Sequence, residues 1–337
     1  MTFSAKNLPT IRRRRTMSLH LVPTLGVLLL GVGAMTTQSA AAQDDAYPEE
    51  PVELIVPWSP GGGSDTLMRI VANHVEEHLG EPMPVINMPG VSGTTGLKTL
   101  AEREPDGYTM GQVHEGLLVA HHTQLTPINW DDFTPVAAIT SSPQYLTVNA
   151  DSPWHSFEEF VDHARQNPGE IRFGVTLGGM PHLHAAMMED AEDISFRYVG
   201  FEGTGARIRA LVGGHIDAAM GDISSSGEFV KNGDLRFLAV GSDERMEETP
   251  DVPTFAELGY DNLSLNIVRG IVAPEGTPEA QVQTLATALE QTSQEEEFAE
   301  AVHNAGASVH FQGPEAFADY LERTNAIVER LAGKLAK

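Results

Sequence analysis

The chain has 337 residues, with 21 Lys and Arg against 47 Asp and Glu, a formal charge of −26. That excess repels phosphate backbones and anionic lipid, which excludes nucleic acid and anionic membranes as partners. A hydrophobic content of 41% supports a sizeable core and two domains, and the lack of any cysteine excludes disulfides, thiolate chemistry and a lipoprotein anchor.

Residues 1–42 read as a secretory leader. Arg12 to Arg15 form its positive end, Leu19 to Met35 its apolar stretch, and Ala40-Ala41-Ala42 a cleavage site, with cleavage expected before Gln43. Thr16-Met17-Ser18 continues the arginine run poorly as a twin-arginine signal, so general export is expected. Removing five basic and no acidic residues leaves 16 against 47, a formal charge of −31. No later apolar run approaches the roughly 20 residues that span a bilayer, so the exported protein is expected to be soluble and unanchored.

The folded part opens on VELIVPWSPGGGSD, Val52 to Asp65. Val52, Leu54, Ile55 and Val56 have the character of a buried strand, and from Thr66 the apolar residues Leu67, Ile70, Val71, Val75 and Leu79 fall at helical spacing up to Gly80. The three glycines therefore lie at a strand-to-helix turn, where unsatisfied N–H groups and the positive end of a helix dipole favour an anion. Met83 to Ile86 predicts a second strand that enters another glycine-rich turn, NMPGVSGTTG, Asn87 to Gly96. Two such units in succession place both turns at the carboxyl ends of neighbouring parallel strands, where open α/β sheets bind ligands.

PDGYT, Pro105 to Thr109, turns into a third strand reaching Val113; Val136 to Ile139 and Tyr145 to Val148 are further strands. From Asp151 a second α/β domain is expected. It comprises a helix Ser156 to Gln166, a strand Ile171 to Val175 into the turn TLGGMPH, a helix after Pro181, a strand Phe196 to Val199 into GFEGTGA, a helix Ala206 to Val212, and strands Ile216 to Met220 and Leu235 to Val240. Glu244 to Gly259 reads as a proline-punctuated loop with a short helix. Ile267 to Ala273 is apolar and β-branched, and the remainder reads as helical: Pro278 to Thr292, Gln294 to Asn304, and Pro314 to the end. The fold expected is α/β, with lobe 1 formed by 43–149 and 267–337, lobe 2 by 150–266, and two crossing strands suited to closure about a hinge.

PWSPGGGSD with Arg69, NMPGVSGTTG, PDGYT, DDFTPVA, the Gly178 to His182 turn, GGHIDAAM, LRFLAV, ERMEETPDVPTFAELG and VRGIVAPEGTP, in that order, resemble the Bug-type extracytoplasmic solute receptors of the tripartite tricarboxylate transporter family. The resemblance covers nearly the whole exported chain. It implies a periplasmic binding protein of the two-lobed, type II Venus-flytrap kind that captures a small mono-, di- or tricarboxylate for the transporter's membrane permease subunits, without a cofactor and as a monomer. A sensory role, with the closed form docking on a sensor kinase ectodomain, is the alternative. The family's ligand loops map onto Ser59 to Asp65, with Gly61, Gly62, Gly63 and Ser64, and onto Pro89 to Thr95, with Gly90, Val91, Ser92, Gly93 and Thr94. In the second lobe the map reaches Thr176, Gly179, His182, Gly203, Thr204 and Asp222.

This chain departs from the family pattern at Trp58, where Phe is usual and a larger pocket wall results, and at Phe201-Glu202-Gly203, where Tyr-Lys-Gly is common. The second change replaces a frequent positive charge with a negative one. Arg269 resembles members linked to highly charged carboxylates and could pair bidentately with a distal carboxylate. Asp65 reads as a cap that fixes the turn, because a bare carboxylate would repel an anionic ligand. Arg207 and Arg209 read as solvated helix residues.

Other chemistries fit poorly. The turns lack the lysine of a phosphate-binding P-loop, and no G-x-S-x-G frame marks a nucleophile, so no enzyme is expected. His74 and His78 stand i, i+4 on a helix, and His121-His122 and His182/His184 are close pairs, but their surroundings are not a zinc pattern and no metal site is expected.

Overall fold

The computed structural model describes residues 47–242, 244–260 and 263–332; the predicted leader lies outside them. Two sheets organise the chain. The first, in the order β11-β4-β10-β3-β1-β2, contains β1 (Glu53–Val56), β2 (Val85–Asn87), β3 (Thr109–Val113), β4 (Phe133–Pro143), β10 (Asn266–Pro274) and β11 (Ser308–Gln312). The second, in the order β7-β6-β8-β5-β9, contains β5 (Tyr145–Asn149), β6 (Arg172–Val175), β7 (Arg197–Gly200), β8 (Ala218–Gly221) and β9 (Leu235–Val240).

The sheets share one plan. In each, three parallel strands lie side by side (β2-β1-β3 and β7-β6-β8), and a fourth strand runs antiparallel beside the third (β10 and β5). That fourth strand arrives directly from the other sheet. β4 passes through Gln144 into β5, and the chain after β9 returns as β10. The two crossings are bonded to each other: Gly241 N–H donates to Gln144 O at 2.8 Å and Gln144 N–H to Leu265 O at 3.2 Å. A side chain on Gly241 would begin 2.9 Å from the Leu265 backbone, so glycine permits this approach.

Each parallel strand feeds a helix. α1 (Gly63–Leu79) and α2 (Thr94–Ala101) follow β1 and β2, and α3 (Gly116–His122) follows β3. In the second sheet α5 (Met180–Glu192), α6 (Thr204–Val212) and α7 (Ile223–Lys231) follow β6, β7 and β8, with α4 (Phe157–Gln166) ahead of β6. α8 (Glu279–Ser293), α9 (Glu296–Asn304) and α10 (Pro314–Ala332) pack on the first sheet, as the last helical stretches predict. α1 buries Leu67, Met68, Val71, Val75 and Leu79 against the first core, each such side chain stabilising by roughly 1.5–3 kcal/mol. Phe157, Phe160, Phe173 and Phe255 anchor the second core.

Several elements differ from the sequence reading. α1 begins at Gly63, inside the glycine run, so its first turn is itself part of the loop. α3, α7 and β11 were not predicted, and Glu244 to Gly259 forms turns and a bridge from Val240 to Thr254 in place of the expected short helix. Among the described residues no helix is long and apolar enough to cross a membrane.

Candidate ligand-binding cleft

The carboxyl ends of β1 and β3 in the first sheet and of β6 and β7 in the second face one pocket. It is lined by Trp58, Gly62, Gly63, Ser64, His114, Thr176, Gly179, Met180, Pro181, Gly203, Thr204, Ile267 and Arg269. Three helix N-termini open on it: α1, α5 and α6 begin after Gly62, Gly179 and Gly203, and none has a side-chain cap. With no side chain to bond them, the first-turn N–H groups of α1 and α6, and that of Met180 in α5 ahead of Pro181, are left to whatever enters the pocket.

The lobes meet glycine on glycine. A Cβ on Gly205 would sit 2.7 Å from Gly61 O, and one on Gly62 would sit 3.2 Å from Gly205 N. Larger residues at these positions would hold the two loops apart.

Two fully buried arginines stand at the pocket, Arg269 in its lining and Arg207 behind it. Arg269 donates from Nε to Ser64 Oγ at 3.2 Å, from one terminal nitrogen to Ser142 Oγ at 2.5 Å and Ile267 O at 3.4 Å, and from the other to Asp222 Oδ2 at 3.0 Å. Arg207 donates to Thr176 Oγ1 at 3.0 Å, to Thr204 Oγ1 at 3.2 Å, and twice to Met220 O. The hydroxyls of Ser64, Thr176 and Thr204 thus accept from arginine, which leaves each hydroxyl proton free to be donated into the pocket. The cations act through hydroxyls, and burial lowers the pKa of both guanidiniums, that of Arg207 to about 10.

His114 supplies a neutral donor. Its Nδ1 accepts the Gly116 N–H at 2.8 Å, which places the ring proton on Nε2. Burial, and next the charge of Arg269, push its pKa down to about 3, so the ring stays uncharged at neutral pH. Trp58 stacks on it with ring centroids 4.8 Å apart and planes 12° apart, making one continuous wall. Such a chamber, with N–H and O–H donors on one side and flat rings on the other, suits a small anion with an apolar body.

Residues 67–332 match the family described as tripartite tricarboxylate transporter family receptor. The chain belongs to this receptor family. It is 31% identical over 311 residues to the UPF0065 protein in the gbd 5' region of Cupriavidus necator, an alignment spanning 90% of this chain and 93% of that protein. The structure is similar to that of MatC from Rhodopseudomonas palustris with bound malate, at a TM-score of 0.80 and 26% identity, covering 85% of this chain and 100% of the other. It is likewise similar to R. palustris Rpa4515 with adipate, at a TM-score of 0.81 and 27% identity, covering 86% and 98%. The two-lobed fold is that of the family's periplasmic binding proteins.

In this receptor the residues singled out from sequence divide into three groups. Trp58, Gly62, Gly63, Ser64, Thr176, Gly179, Gly203, Thr204 and Arg269 line the pocket. A second group shapes it from behind. Asp65 accepts from Gly61 N–H, Arg69 Nε and Asn87 Nδ2, all at 2.9 Å, which locks the turn after β1. Partial burial alone would raise the Asp65 pKa, but these donors, Arg69 first, outweigh it and hold the carboxyl below its ordinary value. Asp222 caps α7 through Ser225 N–H at 3.0 Å and pairs with Arg269, so its carboxylate faces protein donors. His182 accepts the Gly178 N–H at 3.2 Å and packs edge-on against Tyr198, bracing the turn before α5.

The third group is the turn after β2, which does not reach the pocket. Gly93 backs onto Trp58, where a Cβ would meet the indole at 2.9 Å, and Thr94 Oγ1 bonds Val91 O at 2.8 Å. Ser92 N–H donates at 3.0 Å to Oε2 of Glu202, and Ser92 Oγ donates to Leu177 O, both across the lobes. Ser59 Oγ also crosses, to Glu202 O at 2.9 Å.

Three readings from sequence are corrected or extended. Arg207 is fully buried, because it lies four residues before the buried Leu211 on the packed face of α6; Arg209, off that face, is exposed. Arg269 has four of its five N–H groups bonded within the protein, which leaves no fork for a bidentate carboxylate in this closed form. His114, Met180, Pro181 and Ile267 line the pocket without having been anticipated. For His114 a signal existed, since it follows the third parallel strand as Trp58 follows the first. His74 and His78 both bond Glu295, and among the described residues no group of three or more His, Asp or Glu is arranged to hold a metal ion.

Proposed function

We propose that this receptor captures a small organic carboxylate between its lobes in the periplasm and delivers it to the membrane permease of a tripartite tricarboxylate-type transporter. The observation that carries the reading is the convergence of three glycine-capped helix N-termini, three arginine-backed hydroxyls and the neutral His114 on one pocket. Every polar group of that set can donate, which selects an acceptor-only guest such as a carboxylate. The malate and adipate bound by two structural relatives are carboxylates, in keeping with this class.

Capture works by closure. Charge-assisted hydrogen bonds contribute roughly 1.5–3 kcal/mol each, and the donors come from both lobes, so the guest binds the closed form better than the open one and shifts the population toward it. The closed outline is then what a permease recognises. Thermal-shift screening of mono-, di- and tricarboxylates, followed by calorimetry at two salt concentrations, tests capture. Stabilisation by a carboxylate supports it; stabilisation by a sugar or a metal with none by any organic anion overturns it. Co-purification of the liganded protein with permease subunits, compared with a sensor kinase ectodomain, tests delivery.

A further inference from the structure

Glu115 follows the pocket residue His114 and is 3% exposed. Its Oε1 accepts the Val268 N–H at 3.0 Å and the Tyr320 hydroxyl, while its Oε2 is buried with no hydrogen-bond partner among the described residues. No cation bonds it, since the nearby Arg269 directs its N–H groups to Ser64, Ser142, Ile267 and Asp222. Asp222 is held differently: Arg269 bonds its Oδ2, and the Ser224 hydroxyl and the Ser225 N–H and hydroxyl bond its Oδ1. Of the two buried carboxylates, Glu115 therefore has the weaker support for a negative charge. Burial pushes its pKa up, and the Tyr320 and Val268 donors and the charge of Arg269 only partly oppose this.

The buried charges around the pocket balance before any guest arrives. Arg207 and Arg269 stand against Asp222 and Glu115, and the remaining buried acids among the described residues, Asp65 and Glu192, are paired with Arg69 and Arg165. Glu115 lies just outside the lining, next to His114 in sequence and bonded to the backbone between the lining residues Ile267 and Arg269. A guest carboxylate in the closed cleft adds a negative charge that no buried cation is left to offset, and its field falls on a carboxylate that already has one bare oxygen.

The other ionisable groups on the elements around Glu115 do not answer that charge. On α10, Tyr320 donates to Glu115, and Glu315, Asp319, Glu322, Arg323, Glu329 and Arg330 are exposed. His121 and His122 meet edge-on at the far end of α3, with His122 on Asn325. On α5, His182 faces Gly178 and Tyr198, and His184 packs on Phe255.

We infer that carboxylate capture is coupled to the uptake of one proton, and that Glu115, behind the pocket wall, receives it. The proton comes from solvent and forms an O–H bond on the bare oxygen, while Oε1 keeps its two donors; it leaves again when the guest does. The inference rests on carboxylate capture as proposed above. Because the bound form holds the extra proton, affinity falls as pH rises.

A potentiometric titration reads this directly. The purified protein in unbuffered salt solution is mixed with lactate, malate or adipate at matched pH, between about pH 6.5 and about pH 8.5, where these guests are almost fully ionised, and the acid needed to hold the pH is counted. Uptake of up to one proton per bound guest is expected, with calorimetric affinity falling by up to about tenfold per pH unit. Glu115→Gln, which keeps an acceptor for Val268 and Tyr320, is expected to abolish the uptake and flatten the pH dependence; a purely structural role would lower affinity at every pH and leave the uptake in place. Tyr320→Phe, which removes one donor to the charged form, is expected to keep the uptake and move its midpoint to higher pH. Binding without proton uptake in the unmodified protein, uptake that persists in Glu115→Gln, or a midpoint that Tyr320→Phe leaves in place overturns the inference while leaving capture intact. Failure of every carboxylate to bind overturns both.

Discussion

The turn after β1 and the turn after β2 begin as the same object. Each ends a parallel strand, each is rich in glycine, and each starts a helix with no side-chain cap. One opens on a pocket, and the other is plugged by a carboxylate from across the cleft. The difference arises in the partner lobe: Gly203 and Gly205 face the first turn, whereas Glu202 and Leu177 face the second. A row of backbone donors becomes a binding site only when nothing else in the chain reaches it first.

Breaking the frame that holds both turns should have the largest effect. Asp222→Ala leaves buried Arg269 without its ion-pair partner, and removing one member of a buried pair costs about 3–5 kcal/mol. Because the pair joins α7 to β10, thermal denaturation should show the loss, and small-angle scattering should show a more open particle. An unchanged melting temperature would mean that the pair is not formed in solution.

Blocking the open turn comes next. Gly62 has φ −100° and ψ 170°, which valine can adopt, but its side chain would press on Gly205 and Thr204. Gly62→Val should therefore fold normally and lose about 1–3 kcal/mol of carboxylate affinity, the usual cost of overpacking. Full affinity measured by calorimetry would exclude this turn from the pocket.

The two serines sharpen the contrast. Ser64→Ala removes a pocket donor and Ser92→Ala an inter-lobe bond, each worth about 1 kcal/mol. The first should weaken ligand binding in the closed form. The second should shift the open-closed balance, visible as altered closure in fluorescence or scattering without ligand. If both variants changed affinity and ligand-free shape alike, the two turns would be equivalent after all.

Acid should reveal the buried rings. The folded-state pKa values of His114, about 3, and His184, about 4, lie below the ordinary 6.5, in both cases chiefly through burial. The unfolded chain therefore binds more protons over that interval. Their contribution to stability is complete above about pH 6.5 and declines as pH falls toward 3 to 4, by up to about 1.4 kcal/mol per unit for each ring. His114→Asn should flatten the dependence of melting temperature on pH. The smallest effect concerns the acidic shell: added salt screens it beyond about 8 Å at physiological ionic strength and should speed ligand association a few-fold.

Much of the fold was legible because its signals are local. The turn after β1 pairs a β-branched run with a helical stripe, and Met83 to Ile86 repeats the form. The failures have local causes too. α7 reads ISSSGEFVK, weak in apolar periodicity, and is helical because Asp222 caps it and α1 packs on it. α3 is a short apolar run that periodicity cannot tell from a strand, and β11 is a half-buried edge strand with little apolar content. At the cleft, the turn residues were legible, but their partners across the lobes were not. Glu202 was visible as a charge reversal, yet its bond to Ser92 joins residues 110 apart in sequence.

The bonded crossings at Gln144, Gly241 and Leu265 carry a mechanical consequence. Two independent tethers would let the lobes slide and twist; two strands stitched together resist shear and bend chiefly across their flat face. Opening then reduces to one coordinate, the angle of a leaf spring.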